Sequence, residues 1–349
     1  MRRPLCLFLR VRFWAAAGSI LAVGCGDPPA RPTPVPTPDP LALTCPASVT
    51  QLSPTGQPLA VRFGSATATG GTPPVQIACQ PANDSMFAVG RTTVTCNGAD
   101  SRGVTASCAF TVTVTSPPTI SLTQYVAFGD SITAGEITVI GEGGFHTLQV
   151  VDALSYPTDL RGTLSARYTA QTIGVANQGV KGEITADGLR RLPGVLGQGY
   201  QVLLLVEGAN DISNATDAQV LSALANIRAM VRLAKGRGQR VFLGTLPPEN
   251  PFTCFNPCRA GGYAQLPSYN LGLQAIASSE GVGFVDVFTQ FHGDVTTLIG
   301  PDGLHPTAAG YRVMADAFFN AIKNAYEVPG SSLTTSSPTA PFFAIPRRR

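Results

Sequence analysis

The chain has 349 residues, of which only 13% are charged, with a formal net charge of +3 and eight cysteines. That length accommodates one to three domains and a sizeable core. The low charge and the ordinary apolar fraction of 44% exclude a coiled coil, a collagen-like chain and a highly charged disordered protein.

The positive charge sits at the two ends. Arg2, Arg3, Arg10 and Arg12 lie near the start and Arg347, Arg348 and Arg349 at the finish. Setting those seven aside leaves 17 basic residues against 21 acidic ones, a body of about −4. Such a body offers no basic surface for counterion release, so nucleic acid is not expected as a partner.

The four N-terminal arginines precede an apolar run from Phe13 to Gly24. Twelve helical residues reach about 18 Å, short of the ~30 Å hydrocarbon core of a bilayer. The layout over 1–24 is that of a secretory signal peptide. Ala22-Val23-Gly24 suits ordinary cleavage, while Leu21 to Cys25 resembles a bacterial lipobox with Ala22 at the usual leucine position. Both readings cut after Gly24. Cysteine parity favours the second: Cys6 leaves with the signal, six others fall into clusters, and Cys25 alone has no mate. Cys25 is therefore the expected lipidation site, and its acyl chains the expected tether to a membrane. Residues 25–40 form a linker whose seven prolines from Pro28 to Pro40 favour an extended spacer.

From 41 to 116 the chain shows short alternating runs broken by turn residues. Thr92–Cys96 and Ala109–Val114 read as strands joined through Asp100-Ser101-Arg102-Gly103. Cys45, Cys79, Cys96 and Cys108 allow three disulfide connectivities. The run FAVGRTTVTCNGADSRGVTASCAFTVTV, Phe87 to Val114, resembles the hyalin-repeat (HYR) module. That resemblance implies a small all-β, immunoglobulin-like sandwich. Nothing in it carries chemistry, and a stalk is preferred over an adhesion role.

From Thr119 strands alternate with helical patterns, which implies a parallel sheet covered on both faces. The expected strands are Tyr125–Phe128, Thr169–Ile173, Val202–Val206, Val241–Gly244 and 283–287. Leu221, Leu224, Ile227 and Val231 mark one helix face, Leu271, Ile276 and Ala277 another, and Val313, Ala317, Phe318 and Ile322 the last. Ligands in such sheets bind beyond the carboxyl ends of the strands. Four polar turns fall there: Gly129-Asp130-Ser131, Asn177-Gln178-Gly179, Gly208-Ala209-Asn210-Asp211 and Asp302-Gly303-Leu304-His305-Pro306.

A serine on such a turn is a weak nucleophile unless a base removes its proton. His305, with Asp302 three residues before it, supplies a base and its orienter on one loop. The amides of Ser131 and Gly179 and the side chain of Asn210 are candidate donors to an oxyanion. The four turns resemble blocks I, II, III and V of the SGNH (GDSL-type) hydrolases over 119–328. The resemblance implies a flavodoxin-like α/β/α sandwich, a catalytic set of Ser131, Asp302 and His305, and an oxyanion hole of Ser131, Gly179 and Asn210. It implies no metal and no organic cofactor. Val175 to Leu196 looks most like the thioesterase/lysophospholipase branch.

No G-x-S-x-G, HExxH or Walker motif is present. Cys254 and Cys258 read as a disulfide rather than half a zinc site. The long connection Glu136–Pro157, containing His146, and the loop Pro247–Pro267, containing Phe252 and Phe255, are expected to wall the cleft. The two phenylalanines are read as an apolar surface for an acyl chain, and His146 as a loop residue rather than a second base. The expected activity is hydrolysis of carboxylic esters or thioesters, in the manner of a lysophospholipase or acyl esterase. A carbohydrate acetyl esterase and a non-catalytic adhesion protein are the alternatives. Residues 329–349, Ser/Thr/Pro-rich with a basic end, read as a disordered tail.

Overall fold

The computed structural model describes residues 39–330, except Thr253, Asn256, Pro257 and Pro329. The expected signal peptide, Cys25, most of the proline-rich run and the tail from 331 lie outside the described residues.

The N-terminal module centres on a long hairpin, Gly90–Ala99 paired antiparallel with Thr105–Thr115. Gln76–Gln80 adds to one side of it and Val49–Leu52 to the other. The hairpin turn is organised by Asp100. Its Oδ1 accepts from the amides of Arg102 and Val104 at 2.9 Å each, and its Oδ2 from Thr72 N at 3.0 Å. Inward residues of the alternating strands, Val94, Phe110, Val112 and Val114, meet Phe63 and Phe87. Phe63 packs edge-on to Phe110 with ring centroids 4.9 Å apart. Of the three connectivities, the one present is Cys45–Cys108 with Cys79–Cys96.

The second region carries a five-stranded parallel sheet: β1 (Gln124–Gly129), β2 (Gly174–Gly179), β3 (Val202–Val206), β4 (Arg240–Gly244) and β5 (Gly283–Val285). The spatial order is β2-β1-β3-β4-β5. This is the flavodoxin-like winding, whose ligand site lies at the switch point between β1 and β3. Helices Tyr156–Arg167 and Ala308–Tyr326 pack together on one face. Thr185–Leu196, Asp217–Gly236 and Leu266–Glu280 cover the other. Between them the β3 sequence Val-Leu-Leu-Leu-Val is buried throughout, as a central strand covered on both faces requires.

Four details depart from the sequence reading. The second strand is Gly174–Gly179, not Thr169–Ile173. The latter forms the turn after a helix, where Gln171 N donates to Tyr168 O and the Gln171 side chain holds both backbone groups of Ile120. As an edge strand, β2 tolerates Asn177 and Gln178, which an apolar-run criterion rejects. The fifth strand stops at Val285, because the Asp286 side chain caps a new helical turn at Val287–Gln290. The Glu136–Pro157 connection is not a plain loop but starts as a hairpin, Glu136–Ile140 against His146–Val150. Finally, Leu221 and Leu271 are exposed. The buried face of helix Asp217–Gly236 runs through Val220, Ala223, Ile227, Met230, Val231 and Ala234.

Candidate active site

The turn after β1 reads Gly129-Asp130-Ser131. A Cβ at Gly129 would come within 1.7 Å of the Val206 carbonyl oxygen, so glycine is what lets β1 run so close to the end of β3. Asp130 caps the single helical turn Ser131–Ala134, its Oδ1 accepting from Ile132 N at 3.0 Å. Its Oδ2 accepts from Gly208 N at 3.3 Å and Ala209 N at 3.1 Å, tying this turn to the one after β3. Burial pushes the Asp130 carboxyl up, and the amide donors limit the rise to about 6.

The Asp302–Pro306 loop returns over Ser131. His305 Nε2 lies 2.9 Å from Ser131 Oγ, and His305 Nδ1 lies 2.5 Å from Asp302 Oδ2. Asp302 Oδ1 also accepts from Leu304 N at 3.4 Å and His305 N at 3.2 Å. One carboxylate therefore shapes the loop and orients the ring. All three side chains are buried. Burial opposes the charge on Asp302, but the His305 ring and the loop amides hold its carboxyl below the usual range. Burial would likewise lower the imidazole. The hydrogen bonds and charges of Asp302 and Glu136 outweigh it and raise His305 to about 9. A hydroxyl, an imidazole and a carboxylate in series can activate a weak nucleophile.

Glu136 is the residue the sequence reading missed. It is 1% exposed, its Oε2 lies 3.2 Å from His305 Nε2, and its Oε1 meets Lys181 Nζ. The available signal was slight: a lone acid heading the run Glu-Ile-Thr-Val-Ile.

The structure assigns Gly179 a different part from the expected one. Its N–H donates to Asn177 Oδ1 at 3.0 Å, so that donor is already engaged. A Cβ there would sit 2.0 Å from Ala134 N, which makes Gly179 a close-packing glycine beneath the serine helix. Three residues on, Gly182 holds φ at +75° with open space around it, and among the described residues no acceptor meets its N–H. Its neighbours bracket the site. Lys181 reaches Glu136, and the Glu183 carbonyl accepts from Asn210 Nδ2 at 2.8 Å.

That bond uses one of the two Asn210 amide hydrogens and leaves the other. The loop is braced from below. Arg191 holds Glu183 through two bonds of 2.9 and 2.6 Å and stacks 4.0 Å over the Phe128 ring.

His146 and Phe255 meet in a stack with ring centroids 4.1 Å apart. With Thr138, Lys181, Arg259 and Asp302 they line a cavity of about 360 Å³. Phe252 does not join Phe255. It packs edge-on to Tyr263 at 5.5 Å and lines a separate cavity of about 470 Å³ with Pro248, Glu249, Leu266 and Phe288. The single acyl-chain wall expected from the two phenylalanines is therefore divided between two cavities. Cys254 and Cys258 form a disulfide. Among the described residues the one cluster with metal-ligand proximity is Cys45, Cys96 and Cys108, and all three are spent in disulfides.

Residues 127–313 match the family model described as the GDSL-like lipase/acylhydrolase family, and residues 37–114 match the HYR domain. Among characterised proteins the chain is similar to esterase TesA of Pseudomonas aeruginosa, 28% identical over 138 residues. That match covers 39% of this chain and 62% of the relative, so the chain spans less than two thirds of that protein's length. It is also similar to an isoamyl acetate-hydrolyzing esterase of Saccharomyces cerevisiae, 28% identical over 217 residues, covering 58% of this chain and 87% of the relative. Among solved structures, a lipase/acylhydrolase from Enterococcus faecalis is 23% identical with a TM-score of 0.48, covering 59% of this chain and 97% of that one. An acetylxylan esterase from Geobacillus stearothermophilus is 23% identical with a TM-score of 0.45, covering 58% and 95%.

Proposed function

The chain belongs to the GDSL-like lipase/acylhydrolase family, and from that premise we propose that it is an exported serine esterase. The observation that carries this reading is the unbroken series Ser131–His305–Asp302, assembled from loops 174 residues apart. Ser131 Oγ attacks the ester carbonyl carbon while His305 Nε2 takes its proton. Asp302 holds the ring and balances the charge that forms on it. The imidazolium then protonates the leaving alcohol, and water cleaves the acyl-enzyme with His305 as base again.

The negative oxygen of the tetrahedral intermediate is met by the Ser131 N–H at a helix start, the second Asn210 amide hydrogen and the free Gly182 N–H. Gly182 replaces Gly179 in that role. None of these steps calls on a metal or cofactor.

The substrate is a carboxylic ester of a small alcohol, a lipid or a glycan. The named activities of the two characterised relatives support ester hydrolysis in general. A second reading, removal of acetyl groups from a polysaccharide, is favoured by the cavity beside Asp302. Its Thr138, Lys181 and Arg259 can bond sugar hydroxyls, and the His146–Phe255 stack offers a flat face.

Export is supported by the HYR module and three disulfides. Among the described residues no helix is long and apolar enough to cross a membrane. The tether in this reading is a lipidated Cys25, with the proline run and the HYR module as spacer. Mass spectrometry of the mature N-terminus tests this, and an unmodified Cys25 removes the tether from the proposal.

The activity itself is tested with p-nitrophenyl acetate, butyrate and octanoate and an acetylated xylo-oligosaccharide, using the native chain and Ser131→Ala. Turnover that depends on Ser131 is expected, and the ester preferred identifies the substrate class. Absence of Ser131-dependent turnover on all of them would return the protein to the adhesion reading.

A further inference from the structure

His305 Nε2 faces two oxygens, not one. Ser131 Oγ lies 2.9 Å away and Glu136 Oε2 3.2 Å away. A neutral ring that donates its Nδ1 proton to Asp302 presents only a lone pair at Nε2. A lone pair and an ionised oxygen at that separation repel unless a proton lies between them. Glu136 is ionised, because the adjacent imidazole and the Lys181 ammonium hold its carboxyl below the usual range against the opposing effect of burial.

The rest of the enclosure is fixed. The Tyr311 hydroxyl donates to the Glu136 carbonyl at 2.7 Å, pinning the residue from helix Ala308–Tyr326. Asp130, on the serine turn, is the remaining carboxylate that acts on the ring through its charge. The titratable groups around Nε2 are thus Asp302 on the same loop, Asp130 beside Ser131, Glu136 on the hairpin, Lys181 behind it, and Tyr311.

We infer that Glu136, charge-balanced by Lys181, is a positioning residue that clamps the Nε2 side of His305, holding a proton there in the resting enzyme and giving the imidazolium formed during acylation a second carboxylate partner. The inference rests on the serine-esterase reading for its catalytic half. In the resting state the ring carries two protons, one toward Asp302 and one shared between Glu136 and Ser131 Oγ. That second proton leaves to solvent before reaction. The Ser131 proton then replaces it on Nε2 as Oγ bonds the carbonyl carbon, and it passes to the leaving alcohol as the ester bond breaks. Glu136 faces a cationic ring in the resting state and again once the Ser131 proton has reached Nε2. Its cost is a resting enzyme locked in the protonated form until the pH is alkaline. Its gain is a lower-energy ion pair when the ring is cationic.

The two partners should act in opposite directions. Glu136→Gln keeps the shape and removes the charge. It is expected to move the acid limb of the kcat/KM–pH profile downward by about one unit, and to lower the plateau about three- to thirtyfold. Lys181→Met leaves Glu136 uncompensated and is expected to move the limb upward by about half a unit. Thermal melting of each variant separates these effects from misfolding.

A limb unmoved in Glu136→Gln, or moved the same way by both substitutions, overturns the inference. The same protonation can be read without turnover, from the ring ¹⁵N titration of His305 in Ser131→Ala with and without Glu136→Gln. A midpoint that drops supports the clamp even if no ester is turned over, in which case it is the esterase reading that fails. A midpoint that stays overturns the clamp whatever the activity.

Discussion

The two folded regions hold themselves together in different ways. The N-terminal module surrounds a core of eight buried side chains with two disulfides, and among its described residues the one buried carboxylate is Asp100, fully engaged by a turn. The α/β region buries Asp130, Glu136, Glu207, Glu249, Asp302 and His305 around one sheet edge. Ionisable groups out of water cost free energy unless paired, and a spacer has no reason to carry that cost. The difference supports the proposed division, in which the α/β region does the chemistry and the module acts as a spacer. That division can be broken by substitutions on either side of it.

Asp302→Asn carries the largest expected effect. The asparagine keeps the loop shape but removes the charge behind His305, and a loss of about 10³–10⁴-fold in kcat is expected. Retention of activity within tenfold on p-nitrophenyl acetate would mean the buried charges are structural. Cys45→Ser with Cys108→Ser attacks the other region. The closed loop spans 63 residues, which corresponds to about 4 kcal/mol of lost stabilisation in the chain-entropy view. Calorimetry should show the module's transition lost or strongly lowered, with ester hydrolysis unchanged. Loss of activity together with the module would break the division.

Glu207→Gln probes the cost of burial directly. Burial, then the charges of Asp130, Glu183 and Asp211, lift this carboxyl to about 9, and neither oxygen has a hydrogen-bond partner among the described residues. The folded state therefore binds a proton that the unfolded state releases at ordinary acidic pH. Stability should fall as pH rises between those two values. Glutamine removes the decline. A gain of about 2–4 kcal/mol at pH 8 and none at pH 4 is expected from denaturant unfolding. An equal gain at both pH values would show that packing, not charge, is at stake.

What could be read before the structure follows from distance along the chain. Asp302 and His305 are three residues apart, so their pairing is local chemistry. Ser131 and Asn210 follow strongly apolar strands, so their position at the sheet edge is implied by the pattern. Glu136 is different, because its partners are Lys181 and His305, 45 and 169 residues away, and the lone acid at the head of an apolar run is all that marks it locally. Gly179 and Gly182 show a finer limit. Gly179 ends β2 and Gly182 lies in the loop after it, and which N–H stays free depends on where Asn177 points, a matter of side-chain geometry rather than composition. The misplaced second strand has the same origin, since an edge strand carries polar residues that only tertiary position explains.

The smallest expected effect separates the two cavities of the α/β region from one another. Phe255, stacked on His146, walls the cavity that includes Asp302, whereas Phe252 faces a different cavity with Tyr263. If the first holds part of the substrate, Phe255→Ala removes one ring face and should raise KM several-fold for the preferred ester, about 0.5–1.5 kcal/mol. Because the ring contacts the bound ester before and during reaction, kcat should change little. Phe252→Ala should leave both parameters alone. His146→Ala gives a third point: the stack is shared, so the double variant with Phe255→Ala should cost less than the two single effects added. Equal effects of Phe252→Ala and Phe255→Ala would restore a single wall for the acyl chain. A change confined to Phe252→Ala would move substrate to the Tyr263 side, away from the polar groups that favour a sugar.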